Sequence, residues 1–225
     1  MEKPIIFSDE MVRTILDGRK TQTRRVINFP ARAYTPDLSW IAGVNPDGAG
    51  GWVAWGPNPV TDDFSRTAYP YSGGIKCPYG KPGDLLWVRE TWLEMDRGGW
   101  CDPSKPKWWF DDCYNRVNAI AYRANCDAES EKIRREYGYK WRSPIVMPRW
   151  ASRLTLSIVD VRVERVQDIT HFGAMSDGIT YDYASPGGGT IMQFAKLWDS
   201  INAKRGYPWG SNPWVWVIEF EKVQQ

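Results

Sequence analysis

The chain of 225 residues contains a single histidine, His171, and four widely separated cysteines. No two cysteines form a Cys-x-x-Cys pair, so a zinc site would need ligands that converge from scattered loops. We therefore expect no metal and no other cofactor. Reduced thiols, as in cytoplasmic proteins, are the expected state of Cys77, Cys101, Cys113 and Cys126.

Long apolar runs are missing too. No segment approaches the ~20 apolar residues that span a bilayer, and the N-terminal sequence MEKPIIFSDE lacks the apolar region and cleavage site of a signal peptide. We expect a cytoplasmic protein with no membrane partner. The net charge of +2 is small, so nucleic-acid binding would have to depend on local clusters of basic residues.

Aromatic residues, in contrast, are abundant: 14 Trp, 11 Tyr and 7 Phe. Such rings either stack against bases or fill a small core, and the composition leaves both open. Many of them lie in two segments, at about 28–80 and 94–117, where proline and glycine argue against long regular elements. Because a disordered linker would be poor in aromatics, we predict two folded insertions in a single domain spanning 1–225.

The remaining sequence predicts an α+β fold. A helix is expected between the cap Ser8 and the stop Gly18, with further helices at 170–178 and 191–203 and a brief exposed helix or loop at 129–137. Strands are expected at 3–8, directly after the Gly18 turn, and at 85–92, 120–124, 154–161 and 214–223.

The most basic stretch is GRKTQTRR, from Gly18 to Arg25, at the predicted junction of a helix and a strand. Its four cations and two hydroxyls could bind a phosphate, because Arg and Lys donors suit phosphate oxygens. Alternatively, these cations only complement the dipole of the preceding helix.

Two other places combine charge with aromatic or apolar residues. Glu90 shares a strand face with Leu86 and Val88, so we expect it either to pair with a basic residue or to have a raised pKa, as a catalytic or a structural group. Arg149 and Arg153 flank Trp150, which suits a stacked base between phosphate donors. They could equally neutralise nearby carboxylates.

The stretch GRKTQTRR resembles the signature of the ASCH domain, which has a PUA-like fold. The same superfamily includes small bacterial N4-acetylcytidine amidohydrolases, in which this segment is Gly, Arg, Lys, Thr, any residue, Thr. Most of the chain is similar to ASCH proteins of phages and prophages. The similarity is carried by KPIIFSDEMVRTILDGRKTQTRR, PYGKPGDLLWVRETW, MPRWASRLTL and NPWVWVIEFEKV.

This resemblance implies a PUA-like mixed β-barrel with flanking helices, encoded by a phage or prophage in a bacterial host. It also implies a site that recognises RNA, DNA or a modified nucleoside. The segment ITHFGAMSDGI falls on the one that carries the catalytic glutamate of the amidohydrolases, so Asp177 takes that position with a side chain shorter by one methylene. The implied catalytic set is Lys20, Thr23 and Asp177, to which we add Glu90.

Two mechanisms are open for this set. Lys20 could act as the base that activates Thr23 as a nucleophile, or it could polarise an acyl carbonyl while Thr23 positions water. Because residues three apart face opposite sides of a regular strand, the two meet only if Lys20 still belongs to the turn.

The alternatives are a non-catalytic RNA- or DNA-binding module and a ribonuclease. No histidine pair or acidic metal cluster supports the latter. The oligomeric state stays open. The residues expected to contact nucleic acid are Arg19, Arg24, Arg25, Arg89, Arg149, Trp150 and Arg153.

Overall fold

The computed structural model describes residues 1–28, 44–46, 52–54, 77–94, 114–115, 120–180 and 189–223. Most of the two predicted insertions, at about 28–80 and 94–117, lies outside the described residues. Their folding therefore stays a prediction.

The described residues contain ten strands and four α-helices. The strands are β1 Glu2–Ile6, β2 Gln22–Val26, β3 Val44–Pro46, β4 Trp52–Ala54, β5 Leu85–Arg89, β6 Trp92–Glu94, β7 Tyr114–Asn115, β8 Ile120–Tyr122, β9 Thr155–Arg165 and β10 Trp214–Lys222. The helices are α1 Asp9–Leu16, α2 Ala128–Glu136, α3 His171–Ser176 and α4 Gly189–Asn202.

Five strands form a mixed sheet in the order β1-β5-β9-β10-β2. Strands β1 and β5 run parallel, whereas β2 and β10 pair antiparallel, with Thr23 opposite Ile218. Two small sheets have the orders β3-β4 and β6-β8-β7. The predicted α+β class is thus confirmed, and the strands that the structure describes form no closed barrel.

Local sequence accounts for where the helices begin and end. The Ser8 hydroxyl accepts the Met11 N–H at 3.4 Å at the start of α1, and Gly18 has a φ of 73° just after its end. Helix α3 follows the same rule, because the Thr170 hydroxyl accepts the Gly173 N–H at 3.0 Å. Serine, threonine and glycine are the expected residues at these positions, which explains why the sequence located both helices.

One predicted strand is interrupted in the structure. The run 85–92 is split, since β5 ends at Arg89 and β6 begins at Trp92. Between them the Glu90 N–H donates to the sulfur of Met147 at 3.4 Å. The Glu90 N–H thus binds a side-chain sulfur and not the carbonyl of a neighbouring strand. The alternation of apolar and polar residues along the sequence cannot reveal such a break.

The chain divides into two compact units. The first comprises Met1, Lys20–Leu85 and Ser157–Glu221, and the second comprises Glu2–Arg19, Leu86–Leu156 and Lys222–Gln225. The expected single domain over 1–225 stays a prediction.

Each unit has its own buried apolar cluster. That of the first unit contains Val166, Ile169, Ala174, Phe194, Trp198, Val215 and Val217. The cluster of the second unit contains Trp92, Ile120, Tyr122, Met147 and Ala151. None of the helices in the described part of the chain combines the length and the apolar character that crossing a membrane requires.

Candidate functional site: a buried lysine–aspartate pair

Lys20 lies in the first unit, in the turn that leads into β2, and it is only 3% exposed. Its ammonium group donates to Asp177 twice, to the carboxylate oxygen Oδ1 at 3.1 Å and to the main-chain oxygen at 2.7 Å. The next residue, Thr21, donates its N–H to the Ser176 carbonyl at 2.8 Å. The turn is therefore held against the C-terminal end of α3, where Asp177 follows the last helical residue.

The Asp177 carboxylate is buried and accepts three side-chain donors. Besides Lys20 on Oδ1, Oδ2 accepts Gln22 Nε2 at 3.3 Å and a short hydrogen bond from Arg24 Nη1. Gln22 also donates to the Gly173 carbonyl at 2.6 Å, which ties β2 to α3 a second time. A carboxylate removed from water requires such partners, and this one is satisfied on both oxygens.

Arg24 connects Asp177 to a second carboxylate. Its Nη2 atom donates to Glu164 Oε2 on β9 at 3.1 Å, and its guanidinium carbon lies 5.8 Å from the centre of the Phe194 ring. Glu164 in turn accepts Arg162 Nε at 2.5 Å, and Arg162 also pairs with Glu219. A chain of ion pairs thus runs from the buried Lys20 to the half-exposed Arg162.

Burial lowers the pKa of Lys20, because removal from water penalises the ammonium form. The charge and hydrogen bond of Asp177 oppose this change, and the positive charges of Arg25 and Arg24 add to it. A lysine in such surroundings becomes neutral at a lower pH than an exposed lysine. It is then able to accept a proton from a reacting group.

Thr23, the third residue of the implied catalytic set, is 2% exposed and lies between Gln22 and Arg24 on β2. Side chains alternate along a strand, so Thr23 lies on the face opposite to Gln22 and Arg24, which both contact Asp177. The structure therefore brings Lys20 and Asp177 together, and Thr23 lies on the face of β2 opposite to the residues that contact Asp177. Its catalytic role stays a prediction.

The sequence analysis did not single out Gln22, although it contacts Asp177. The signal was available: Gln22 and Arg24 are two residues apart in a predicted strand and share one face. Gln22 is neutral and lies between Lys20 and the two arginines at 24 and 25, so a criterion based on clusters of basic residues does not select it.

Glu90 belongs to the second unit, where it is fully buried and bound by Arg153. The guanidinium forms a fork, with Nε donating to Oε1 and Nη2 to Oε2, both at 2.9 Å. Arg153 also donates to Asn125 at 2.8 Å and lies over the Tyr122 ring at 4.0 Å. This geometry satisfies both oxygens of Glu90 and is that of a structural clamp.

Burial raises the pKa of Glu90, and the hydrogen bonds and charge of Arg153 partly reverse this change. Both outcomes expected for this carboxylate, an arginine partner and a raised pKa, are therefore found together. The contacts of the pair do not favour a catalytic role for Glu90 or a phosphate contact for Arg153, and both assignments stay predictions.

A surface of the second unit combines two arginines with two tryptophans, and we call it the arginine–tryptophan surface: Trp87, Arg89, Arg149 and Trp150. The guanidinium carbons of Arg89 and Arg149 lie 4.6 Å and 6.0 Å from the Trp87 ring centre. Trp150 is 54% exposed and stands edge-on to the buried Trp92, with 6.3 Å between ring centres. Arg149 also binds Glu2, with Nε and Nη2 at 2.9 Å and 2.6 Å from Oε1.

Arg19 and Arg25, the other two basic residues of the Gly18–Arg25 turn, differ in exposure. Arg19 is exposed and pairs with Asp17 at 3.0 Å. Arg25 is half-buried in β2, and burial lowers its pKa. In the described ranges, no cluster of three or more histidine, cysteine, aspartate or glutamate side chains could hold a metal ion.

No protein-family model, curated protein or solved structure matches the chain.

Proposed function

We propose that the chain is a PUA-like ASCH protein of phage or prophage origin. In this proposal it recognises a modified nucleoside, free or within a nucleic acid, and hydrolyses the amide of an N-acylated cytidine at the Lys20–Asp177 pair. The five-strand sheet then corresponds to the PUA-like barrel. The supporting observation is the buried contact between Lys20 and Asp177, which are 157 residues apart in the sequence. The motif resemblance selects the same two positions without reference to their contact.

The proposed reaction needs one base and one counter-ion. Neutral Lys20 takes a proton from water, and the water oxygen attacks the acyl carbonyl carbon. The bond between that carbon and N4 breaks, and the proton passes from Lys20 to N4, which leaves a carboxylic acid and a cytidine amine. Asp177 stabilises the ammonium group while it holds the proton, because a buried cation without a partner is costly.

This mechanism assigns no step to Thr23. Its side chain lies on the strand face opposite to Gln22 and Arg24, so a Thr23 nucleophile would have to act away from Asp177. Of the two mechanisms left open by the sequence, attack by water therefore has the better support.

The test is acetate release from N4-acetylcytidine by the purified full chain. Lys20→Met removes the base and is expected to lower the rate by about 10²–10⁴-fold. Arg19→Ala is the matched control, because Arg19 is the adjacent cation but is exposed and paired only with Asp17 in a surface ion pair. Folded wild-type protein that releases no acetate, or a Lys20→Met variant that keeps the rate, would contradict the proposal.

A non-catalytic nucleic-acid-binding module is the second candidate, favoured by the arginine–tryptophan surface. Trp150 is 54% exposed and directly follows Arg149 in the chain, which suits a stacked base next to a phosphate. Its test is retention of single-stranded RNA and DNA at increasing salt, since phosphate contacts make binding salt-dependent.

Trp150→Ala should weaken this binding by about 1–3 kcal/mol if a base stacks there. Tyr137→Ala is the control, because Tyr137 is an equally exposed aromatic of the same unit at 54%. Equal effects of both substitutions, or binding that does not change with salt, would exclude this surface as the nucleic-acid site.

A further inference from the structure

Arg24 occupies an unusual position, because its two terminal nitrogens bind two different carboxylates. Nη1 is bound to Asp177 Oδ2, and Nη2 donates to Glu164 Oε2 at 3.1 Å. The side chain is 2% exposed, so all of these groups except the outer part of Glu164 are removed from water. Arg24 is thus a bridge, in contrast to the fork that Arg153 forms with one carboxylate.

The bridge matters for what happens when Lys20 loses its proton. Asp177 is buried, and a buried carboxylate without a cationic partner is strongly unfavourable. If Lys20 were its only partner, deprotonation of Lys20 would leave Asp177 unpaired. Arg24 remains charged, as arginine does in proteins, and continues to hold Oδ2 when the bond on Oδ1 weakens.

We infer that Arg24 is a positioning residue for Lys20: it holds the Asp177 carboxylate in place through a second contact and thereby allows Lys20 to exchange its proton. The inference rests on the proposed amide hydrolysis for its biological meaning, because only a reaction that uses Lys20 as a base needs this exchange. The physical claim concerns proton binding alone, and it is measurable in protein without substrate.

The charged groups around Lys20 define the sign of the effect. Asp177 comes from the end of α3, Arg24 and Arg25 come from β2, and Glu164 reaches Arg24 from β9. Removal of Arg24 takes away a cation and leaves Lys20 as the charged partner of Asp177, beside the neutral amide of Gln22, so Lys20 should hold its proton more tightly. Removal of the Glu164 charge leaves Arg24 bound to Asp177 only, so Lys20 should hold its proton less tightly.

Packing fixes the guanidinium in this place. A Cβ on Gly173 would lie 3.3 Å from Arg24 Nη2, so the helix backbone of α3 approaches the guanidinium closely. The Phe194 ring lies at 5.8 Å from its central carbon. A lysine has one terminal nitrogen and cannot reproduce two separate bonds with fixed geometry, so Arg24→Lys should keep the charge and lose part of the bridge.

The test is a pH titration of lysine side chains by NMR, with the full chain labelled at lysine 13Cε. Loss of one signal in Lys20→Arg identifies Lys20. Arg24→Gln should raise the Lys20 midpoint, since a nearby positive charge disfavours the ammonium form. Glu164→Gln should lower the midpoint, and Arg24→Lys should give a value between wild type and Arg24→Gln.

An unchanged or lowered midpoint in Arg24→Gln, or a raised midpoint in Glu164→Gln, would overturn the inference. Charge alone would also give shifts of opposite sign in these two variants, so Arg24→Lys decides: a wild-type midpoint there would show that the charge of Arg24 acts without the bridge and would overturn the positioning role. If Arg24→Gln fails to fold, Glu164→Gln and Arg24→Lys still carry the test, and amide NMR spectra with the dispersion of wild type report that each variant is folded.

The hydrolysis assay separates this inference from the proposed function. Midpoints that shift as expected in a protein that releases no acetate would leave the coupling in place and remove the enzymatic function. Acetate release that depends on Lys20, with a midpoint that does not respond to Arg24, would support the enzyme and overturn the role of Arg24.

Discussion

Each unit contains a buried carboxylate that is paired with basic side chains, and the two arrangements are built differently. In the second unit, Glu90 and Arg153 share two parallel hydrogen bonds of 2.9 Å, and each carboxylate oxygen has its own donor on the same guanidinium. In the first unit, Asp177 divides its two oxygens among Lys20, Gln22 and Arg24. In the fork, both oxygens of Glu90 bind the same guanidinium. Asp177, in contrast, binds both Lys20 and Arg24, and Arg24 connects it to Glu164.

This difference separates a clamp from a site that can exchange a proton. An arginine guanidinium keeps its proton in proteins, so the basic partner in the Glu90–Arg153 fork does not exchange one. A buried lysine does change its protonation, and the second cation on Asp177 allows this without leaving the carboxylate unpaired. Burial of an ion pair is therefore not enough to indicate a reactive site. A second cationic partner of the carboxylate is also needed, because it allows the first partner to lose its proton.

The largest effect is expected from breaking the fork. Arg153→Ala leaves Glu90 buried without its cation and should lower the free energy of unfolding at neutral pH by about 3–5 kcal/mol. Arg149→Ala is the matched control, because it removes a surface pair with Glu2 and should cost about 0–1 kcal/mol. Urea unfolding measures both, and equal losses would show that the Glu90 pair is not a structural clamp.

The shared carboxylate should tolerate the loss of one partner better. Lys20→Met leaves Asp177 bound by Gln22 and Arg24, so we expect a loss of about 1–2 kcal/mol, less than for Arg153→Ala. Asp177→Asn leaves Lys20 and Arg24 buried without the carboxylate and should cost more than Lys20→Met. The reverse order in urea unfolding would mean that Lys20 is the main counter-ion and that Arg24 does not retain Asp177.

The two pairs should also respond to pH with opposite signs. Burial places the pKa of folded Lys20 below the ordinary 10.5, so the unfolded chain binds more protons between these values and the free energy of unfolding rises with pH there. Burial places the pKa of Glu90 above the ordinary 4.5, so the folded chain binds more protons and the free energy of unfolding falls as pH rises through that window.

Differences between wild type and each single variant isolate these contributions. Unfolding free energies of wild type, Lys20→Met and Glu90→Gln, measured across pH, should give slopes of opposite sign in the two differences. Slopes of the same sign would contradict the comparison between the two pairs.

The smallest effect is expected from Gly173→Ala in α3. Alanine is favoured over glycine in a helix by about 1 kcal/mol, but the new Cβ would lie 3.3 Å from Arg24 Nη2. We expect these terms to offset each other to within about 1 kcal/mol, with a small shift of the Lys20 midpoint. Gly210→Ala, with nothing within 4 Å of its Cβ, is the control, and a full helix-propensity gain in Gly173→Ala would show that Arg24 is not held against α3.

Helix α3 of the first unit could be predicted well, because residues that typically begin and end helices stand at both of its ends. Within this unit, Thr170 and Gly178 mark the two ends of α3. The contact between Lys20 and Asp177 was not visible in any pattern of the residues and came from motif resemblance alone. Contacts between positions so far apart depend on how β2 and α3 pack, which no local periodicity encodes.

Other parts of the site could not be predicted for identifiable reasons. Arg24 was expected to contact nucleic acid, since an arginine in a basic run gives no sign that two carboxylates from elsewhere in the chain will bind it. The pairing of Glu90 with an arginine was predicted from its apolar neighbours, but the identity of Arg153 was not. The position of a charged residue in the sequence thus indicates that it needs an oppositely charged partner, but the identity of that partner depends on the fold.

The central claim is that Lys20 acts as a general base, in addition to its structural contact with Asp177 at the end of α3. The most direct measurement is the pH dependence of acetate release from N4-acetylcytidine by wild-type protein, compared with the Lys20 midpoint from NMR. The account predicts a rate that rises with pH around that same midpoint and is lost in Lys20→Met. No acetate release from the folded protein, or a rate that is independent of Lys20 and its midpoint, would contradict it.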